Sequence, residues 1–468
     1  MRHTLRARHP LREAAFLSLV ILLLLFPSAC KRGDSQEAET TLPAGVTAAP
    51  TLTSDEAAVD AEAADAEAPT LEPEALEAEQ SPVEVALPTA TPQPEPTPAT
   101  GTVTLWHSWA QRDGDALEAI LNSFHEAHPG VTVETLFVAQ DDLLQSYAEA
   151  VADGSGPDIV LAPNWWLTDL QSAGAIAALD GPAFEHAMES VWPSAADNLR
   201  VDGRLYGVPV SYETVALYYN RDLLSDGIVA FSLDDLLSGA SENPQLGVGI
   251  YANPFHIAWG FPAFGATLFD DTGRAVFDQN PGTVAFLQWL NSLNSLTGSF
   301  VDEDYGMLMD RFTRGEFAYF VDGPWSLPEL TGALGNALGV APIPPGPAGP
   351  SRPWLYADAA YVRPNLPDQQ QELVALFLSH LTARTSAETL AGVAGRLPAN
   401  RSVELSQYPL LNGFAMQAEN AAGMAHGPEM DAFWRYGADM ILRAVAGAED
   451  LNTVVTESAA LTNDATGH

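Results

Sequence analysis

The stretch VTLWHSWAQRDGDALEAILNSFHEAHPGVTVETLFV, residues 103–138, contains the pattern that decides the fold. It begins with VTLWHSW (103–109), whose β-branched and aromatic residues are typical of a strand. The next part places apolar residues at 117, 120, 121 and 124, which predicts a helix that ends at His128-Pro129-Gly130. VTVETLFV then predicts a second strand, so the stretch is a strand–helix–strand unit.

The same alternation continues along the chain. DDLLQSYAEAVADGSG (141–156) predicts a helix and PDIVLAP (157–163) a third strand. Alternating strands and helices indicate an α/β fold with a largely parallel sheet. RLYGVPVSYETVALYYN (204–220) is strand-like, whereas 369–383 and 429–447 are helical in pattern. We expect the last helix to end near Glu457 and 458–468 to form a frayed tail.

The charge of the chain restricts its partners. The 468 residues include 61 Asp and Glu against 20 Lys and Arg, which gives a formal net charge of −41. Nucleic acids and anionic lipid surfaces are bound through Lys and Arg, so this composition argues against both as partners. The chain has no second stretch as apolar as its N-terminal one, and no further membrane span is expected.

The N-terminus has the order of a secretory signal. Four arginines precede an uncharged run at 14–26, which is too short to span a bilayer of ordinary thickness. Ser28, Ala29 and the single cysteine, Cys30, resemble the bacterial lipobox, in which the cysteine is acylated. Pro27 departs from that pattern, where an aliphatic residue is usual. We expect a signal peptide over 1–29 and a lipid anchor at Cys30; an uncleaved membrane anchor is the alternative.

Residues 30–101 are predicted to be a disordered tether. From 34 to 101 there is no Lys, Arg or aromatic residue, and Ala, Glu, Thr and Pro dominate. Such a composition cannot bury enough apolar surface to offset the entropy of the chain. The folded part is therefore expected to lie at a distance from the extracytoplasmic face of a bacterial membrane.

Six stretches carry a resemblance to a known family. They are WHSWA, GPDIVLAPNWWLTDLQSAGAIAALD, YGVPVSYETVALYYNRDLL, FTRGEFAYFVDGPWSLPEL, GRLPANRSV and HGPEMDAFW, in this order along 102–457. Together they resemble the extracellular solute-binding proteins of sugar ABC importers, and within these the maltose/maltodextrin-binding proteins. The resemblance implies a two-lobed periplasmic-binding-protein-like fold (type II) with the ligand cleft between the lobes.

The resemblance also implies lobe boundaries and partners. The first lobe would take 102–210 and 356–400, and the second 211–355 and 401–457. The chain would cross between them near Pro209-Val210, Leu355-Tyr356 and Asn400-Arg401. An oligosaccharide would be the ligand, and the permease subunits of an ABC transporter, with their ATPase, would be the protein partners of a monomer.

The chemistry of a sugar cleft indicates which residue types to look for. A pyranose has apolar faces that pack on flat aromatic rings and a rim of hydroxyls that carboxylates can accept from. By resemblance, Trp325 and Trp434 stack on sugar and Glu213 is the ligand carboxylate. The other candidates are Trp106, His107, Trp165, Trp166, Phe255 and Trp259, with Asp322 as a further polar contact. The family's charged pair in the loop after the first strand has no clear counterpart here, although Gln111, Arg112 and Asp113 lie nearby.

Several alternatives stay open. The pair Trp165-Trp166 stands where maltose-binding proteins carry an acid and an arginine. This difference argues against maltose as the ligand more than it argues against a sugar ligand in general. A secreted glycosidase also combines tryptophans with carboxylates, but it needs two carboxyl groups around the bond. A non-sugar solute, iron held by Tyr218 and Tyr219, and an extracellular scaffold are the remaining readings. No metal or nucleotide motif is present, so no cofactor is expected.

Overall fold

Two mixed β-sheets organise the residues that the computed structural model describes, which are 99–225, 229–424 and 427–468. The predicted signal peptide, Cys30 and the tether as far as residue 98 lie outside them. The described helices include none that is long and apolar enough to cross a membrane. The strands are β1 Gly101–His107, β2 Val131–Phe137, β3 Ile159–Pro163, β4 Arg200–Val201, β5 Arg204–Leu205, β6 Gly207–Thr214, β7 Ala216–Asn220, β8 Val248–Tyr251, β9 Phe300–Asp302, β10 Tyr319–Asp322, β11 Leu338–Ala341, β12 Trp354–Val362, β13 Leu397–Pro398 and β14 Ala422–Gly423.

The helices flank these sheets and confirm the predicted alternation. They are α1 Gln111–Ala127, α2 Gln140–Ala152, α3 Leu167–Ser172, α4 Glu185–Met188, α5 Pro193–Asp197, α6 Leu233–Glu242, α7 Pro254–Ile257, α8 Gly260–Ala263, α9 Pro281–Asn294, α10 Tyr305–Thr313, α11 Leu327–Leu334, α12 Asp368–Leu381, α13 Arg384–Thr389, α14 Pro409–Ala418, α15 Pro428–Ala446 and α16 Leu451–Thr466.

The first sheet has the strand order β13-β6-β12-β3-β1-β2, and β14 pairs with β12. Its β1 pairs in parallel with β2 and with β3, as the strand–helix–strand units of the sequence require. β12, however, runs antiparallel to both β3 and β6. The sheet is therefore mixed rather than largely parallel, because β12 enters from a distant part of the chain instead of through a helical crossover.

The second sheet has the order β11-β7-β10-β8-β9. β8 pairs in parallel with β9 and β10, whereas β7 is antiparallel to β10 and β11. The segment 204–220, which the sequence presents as one strand-like run, divides into β5, β6 and β7. β6 belongs to the first sheet and β7 to the second, so one run of sequence connects the two sheets.

The chain passes between the sheets at positions that differ from the expected crossings. The first passage is at Val215, between β6 and β7, and not at Pro209-Val210, which lie within β6. The second lies between β11 and β12, in residues 342–353, so Leu355-Tyr356 are already inside a strand of the first sheet. At the first passage β6 and β7 form one continuous strand-like run, so the sequence pattern does not mark it. The second passage does interrupt the pattern, because residues 342–353 are rich in proline and glycine.

Each sheet has a hydrophobic core of its own. One cluster of buried residues is drawn from 103–210 and 359–390 around the first sheet. Another is drawn from 215–343, Trp354 and the helices α15 and α16 around the second sheet. A third cluster joins them, since it contains Tyr212 and Leu355 from the first sheet together with Phe320 and Leu338 from the second.

The C-terminal helix α16 extends to Thr466, well beyond the expected end near Glu457. Asp450 caps its N-terminus by accepting from the backbone N–H of Thr453. Val455, Ala459 and Asn463 are buried and follow one another at intervals of four residues, so they lie on one face of the helix. The Asn463 side chain accepts from the Ala275 N–H at 2.8 Å and donates to the Ala275 carbonyl at 3.0 Å. Residues 458–466 are thus part of the second core and not a frayed tail.

We predict that Asn463→Ala lowers the free energy of unfolding by about 2–4 kcal/mol, because it leaves the buried N–H and C=O of Ala275 without partners. Asp464→Ala, at the exposed neighbouring position, is the matched control and should change it by less than about 0.5 kcal/mol. Urea denaturation followed by circular dichroism measures both. Equal effects of the two variants would contradict the role assigned to Asn463.

Candidate functional site

Two neighbouring cavities are lined by residues from turns that follow strands of both sheets. The larger, of about 550 Å³, is lined by Leu144, Trp165, Trp166, Asp169, Phe255, Trp325, Tyr356, Met424, Gly427, Met430, Asp431 and Trp434. The smaller, of about 330 Å³, is lined by Ala110, Gln111, Arg112, Asp113, Glu213, Pro324, Trp325, Pro328, Tyr356, Ala394, Gly395 and Arg396. Trp325 and Tyr356 line both, so the two cavities form one cleft.

Trp165 and Trp166 enter the larger cavity from the turn that follows β3. The turn is tied to the sheet by Asn164, which is fully buried and accepts from the Ala357 N–H of β12 at 3.0 Å. Trp166 packs against the first core, whereas Trp165 is 38% exposed and meets the Tyr356 ring edge-on at 4.8 Å. Both tryptophans therefore face the cleft, and Trp165 offers the more open ring surface.

Trp325 stands between the two cavities, in the turn that follows β10. Its ring lies directly over Gly323, where an added Cβ would come within 2.1 Å of the ring. The Tyr218 hydroxyl donates to the Gly323 carbonyl at 2.8 Å, which holds this backbone from behind. Any side chain at 323 would displace the indole, so the GPW sequence fixes the position of this 38%-exposed ring.

Asp322 organises a buried polar network behind Trp325. Its carboxylate is fully buried and accepts from the Gly323 N–H at 2.8 Å and from the hydroxyls of Tyr305 at 2.8 Å and Ser326 at 2.5 Å. His256 Nε2 lies 3.1 Å from Asp322 Oδ1, the oxygen that also accepts from the Gly323 N–H. Asp322 lines neither cavity, so it supports the turn that carries Trp325 and does not reach the cleft itself.

Phe255 and Trp434 complete the aromatic walls of the larger cavity. Phe255 sits at the start of α7, with its ring 6.1 Å from that of Trp325 and 5.7 Å from that of Tyr356. Trp434 projects from α15, and its partly exposed ring lies 6.1 Å from that of Trp354 in the second core. Aromatic rings thus approach the cavity from several directions.

Arg396 holds a cluster of carboxylates beside the smaller cavity. Its guanidinium donates to both oxygens of Asp113 at 2.9 Å, to Asp358, and to the Ser211 hydroxyl at 3.2 Å. Glu213 Oε1 lies 3.5 Å from the same guanidinium, which also stacks 4.8 Å from the Trp109 ring. One cation therefore balances three acidic groups from α1, β6 and β12.

Glu213 is the carboxylate of this cluster that lies deepest in the cleft. It is 5% exposed, and the Tyr356 hydroxyl donates to its Oε2. Burial raises the pKa of Glu213 to about 7, although the Arg396 charge acts in the opposite direction. Burial alone would lower the pKa of Arg396, but Asp358 and Glu213 raise it above its ordinary value.

Of the candidates from the sequence, Trp165, Trp166, Glu213, Phe255, Trp325 and Trp434 line the cleft, together with Gln111, Arg112 and Asp113. Asp322 and three other candidates do not. Trp259 is fully buried in the second core and donates its indole N–H to the His256 carbonyl at 2.7 Å. Trp106 packs on the first core, and His107 is 8% exposed with its ring against Phe137. Trp106 and His107 are consecutive residues of β1 and so lie on opposite faces of the first sheet. Trp259 lies between α7 and α8 and packs on Phe286 and Trp289, a distant contact that the sequence pattern does not reveal.

Tyr356 and Arg396 are the important residues that sequence reasoning missed. Tyr356 was expected at a crossing, although it lies within β12 and lines both cavities. Arg396 lies in GRLPANRSV, one of the six stretches that carry the family resemblance, and the signal for it is that the chain has 20 Lys and Arg against 61 Asp and Glu. The carboxylates Asp169 and Asp431 of the larger cavity carried no distinguishing sequence pattern.

The described residues include no group of three or more His, Cys, Asp or Glu side chains placed to hold a metal ion. The two adjacent tyrosines considered for iron also diverge. Tyr218 is fully buried with its hydroxyl on Gly323, whereas Tyr219 lies under the Arg221 guanidinium at 5.4 Å. Their hydroxyls have separate partners and do not form one site.

Comparison with known proteins identifies a family and a set of relatives. The model of the bacterial extracellular solute-binding protein family matches residues 119–412. The maltotriose-binding protein of Pyrococcus abyssi is 24% identical over 348 residues, 71% of this chain and 75% of its own. The maltooligosaccharide ABC transporter solute-binding lipoprotein of Streptococcus pneumoniae is 25% identical over 334 residues, 66% of this chain and 76% of its own.

Solved structures share the fold. A cyclo/maltodextrin-binding protein complexed with maltotetraose superposes with a TM-score of 0.70 at 19% identity, covering 79% of this chain and 98% of its own. The Thermus thermophilus maltotriose-binding protein gives a TM-score of 0.64 at 22% identity, covering 78% and 100%. The expected two-lobed α/β fold of the periplasmic-binding-protein type is thereby confirmed.

We predict that Glu213→Gln stabilises the protein relative to the wild type increasingly as the pH rises from about 5 to about 8. The folded state binds the proton of Glu213 more tightly than the unfolded chain, where the pKa is near 4.5, so this stability is lost as the pH rises through about 7. Glutamine cannot ionise and avoids that loss. Denaturation at a series of pH values measures the difference in the free energy of unfolding.

Glu118→Gln, at an exposed position of α1, is the matched control, and its difference from the wild type should stay constant across the series. Parallel pH profiles for the two variants would show that ionisation of Glu213 is not opposed by its surroundings.

Proposed function

The chain belongs to the bacterial extracellular solute-binding proteins, and on that basis we propose that it captures a maltodextrin-like oligosaccharide and delivers it to an ABC importer. The main support for this proposal is the larger cavity, which has a volume of about 550 Å³. The indole rings of Trp165, Trp325 and Trp434 line it. Flat rings of this kind match the apolar faces of pyranoses. The names of the relatives, which refer to maltotriose and maltooligosaccharides, support the same ligand class.

The polar groups of the cleft suit the hydroxyl rim of a sugar. Asp169 and Asp431 are exposed at the larger cavity, and Glu213 with Tyr356 stands where the two cavities meet. Carboxylates accept from neighbouring hydroxyls, and the phenol can both donate and accept. An oligosaccharide spanning both cavities would thus find stacking surfaces and acceptors along its length.

Ligand binding would favour closure of the two lobes because the ligand contacts come from both sheets. Trp165 follows a strand of the first sheet and Trp325 a strand of the second. A ligand that touches both binds more tightly to the conformation in which they are close, and shifts the population toward it. We propose that this closed form, as a monomer, is recognised by the permease subunits and their ATPase.

We propose binding without hydrolysis. A glycosidase needs one carboxyl group free to donate a proton and a second one opposite. In the cleft, Asp113 is held by two hydrogen bonds from Arg396, and Glu213 is engaged by Tyr356 and Arg396. Both carboxyl groups are thus engaged by side chains of the protein. Incubation with maltodextrins followed by product analysis tests this: new reducing ends would support the glycosidase instead.

Cys30 would anchor the protein to the extracytoplasmic face of the membrane. The resemblance of 28–30 to the lipobox supports this, as does the lipoprotein named among the relatives. The acidic tether up to residue 101 would let the lobes reach solute while remaining near the importer.

We predict that Trp325→Ala weakens maltotriose binding by at least about thirtyfold, because it removes the ring shared by both cavities. Isothermal titration calorimetry measures the dissociation constant. Trp192→Ala, which removes a tryptophan that is 43% exposed and lines neither cavity, is the matched control and should leave it unchanged. Unchanged affinity in Trp325→Ala would remove this ring from the site.

We predict that the mature protein begins at a lipidated Cys30. Mass spectrometry of the N-terminal peptide from membrane fractions should find a diacylglyceryl group on Cys30, and Cys30→Ser should release the protein into the medium. An unmodified N-terminus after Ala29, or a chain that retains residues 1–29, would contradict the anchor. Pro27→Leu restores the usual lipobox residue and is the positive control.

A further inference from the structure

A third cavity, of about 520 Å³, adjoins the cleft on the side of Glu213. It shares Arg112, Pro328 and Gly395 with the smaller cleft cavity, so the two cavities are neighbours. The larger cavity in turn meets the smaller one at Trp325 and Tyr356. A ligand that extends out of the smaller cavity past Arg112 and Gly395 would enter the third cavity.

The walls of the third cavity differ in chemistry from those of the cleft. No tryptophan and no carboxylate lines it, and its walls are mainly aliphatic side chains, prolines and glycines. The lining residues are Arg112, Leu327, Pro328, Thr331, Gly332, Ala391, Gly392, Gly395, Gln407, Tyr408, Pro409, Leu410 and Leu411. Tyr408 is the one aromatic ring among the described residues that line it, and none of them is a carboxylate that could accept from sugar hydroxyls, whereas an apolar group gains by leaving water.

Arg112 adds a more specific preference at the boundary with the cleft. Within the described part of the chain it has no hydrogen-bond or ion-pair partner, in contrast to Arg396, whose guanidinium is held by Asp113 and Asp358. A guanidinium that is not committed to a carboxylate can lie flat on an aromatic ring. The entrance to the apolar cavity is thus suited to a planar, aromatic group.

We propose that the third cavity binds an aromatic group attached to one end of the oligosaccharide, so that the protein takes aryl glycosides in addition to free sugars. The inference rests on the proposed function, since the sugar part would occupy the cleft. The aromatic ring would contact the aliphatic walls at Leu327 and Leu410, with Arg112 over one face.

Matched pairs of ligands test the proposal by calorimetry on the full chain. 4-Nitrophenyl α-maltoside is compared with methyl α-maltoside, and 4′,6′-O-benzylidene maltose with maltose, so that the aryl group is placed at either end. We expect one aryl ligand to bind at least about tenfold more tightly than its partner, from the apolar area that it buries.

Gly332→Leu identifies the cavity responsible. Gly332 lines the third cavity only, and a Cβ built there meets nothing within 4 Å, so the variant should fold and fill the space. It should abolish the aryl gain while leaving the affinity for methyl α-maltoside unchanged. Gly181→Leu, at a position equally open and outside the three cavities, is the control and should retain the gain.

The outcomes separate this inference from the proposed function. Binding of maltose and methyl α-maltoside with no aryl gain, or a gain that survives Gly332→Leu, overturns the aryl site and leaves sugar capture standing. Failure of every sugar and glycoside to bind overturns both. An aryl gain lost in Gly332→Leu and kept in Gly181→Leu supports the site.

Discussion

The contact of Arg396 with three carboxylates is the constraint on which the cleft depends. Asp113 lies in α1, Glu213 in β6 and Asp358 in β12, so one guanidinium joins segments that are far apart in sequence. Without it, like charges would be buried next to one another at the floor of the site, at a high desolvation cost. The arginine also lies on Trp109, which fixes its plane. Glu213 is therefore held in place by charge and burial before any ligand arrives.

The aromatic surface of the cleft is supported by polar groups that never reach it. Asn164 ties the Trp165 turn to β12, and Asp322 gathers Tyr305, Ser326 and a backbone N–H beneath Trp325. These groups are buried and satisfied, so the turns that follow the strands cannot shift without losing several hydrogen bonds at once. Rigid turns keep the exposed rings in position, and a platform ordered in advance costs less entropy when a ligand binds.

The sequence predicted the fold class and much of the aromatic cleft, because strand ends, glycine–proline turns and exposed tryptophans leave local patterns. It failed where the outcome depends on distant contacts. Whether Trp259 faces the cleft or the core is decided by its packing on Phe286 and Trp289, and the pairing of β12 against β3 has no local signal. The first passage between the sheets is predicted at Pro209-Val210, before its observed position at Val215, because β6 and β7 form one continuous strand-like pattern in the sequence. The predicted end of the last helix, near Glu457, falls too early because the polar residue Asn463 joins the core through its hydrogen bonds with Ala275.

The position of Glu213 connects ligand contact to the passage between the sheets. Glu213 lies two residues before Val215, and its partner Tyr356 lies in β12, shortly after the second passage. A change in the angle between the sheets would therefore alter the backbone beside both residues. If a sugar hydroxyl engages this pair, its binding energy acts next to the segments that must rearrange, while Trp165 and Trp325 supply contact from either side. In the proposed function, the ligand thus favours one relative orientation of the sheets through the residues closest to where the chain crosses.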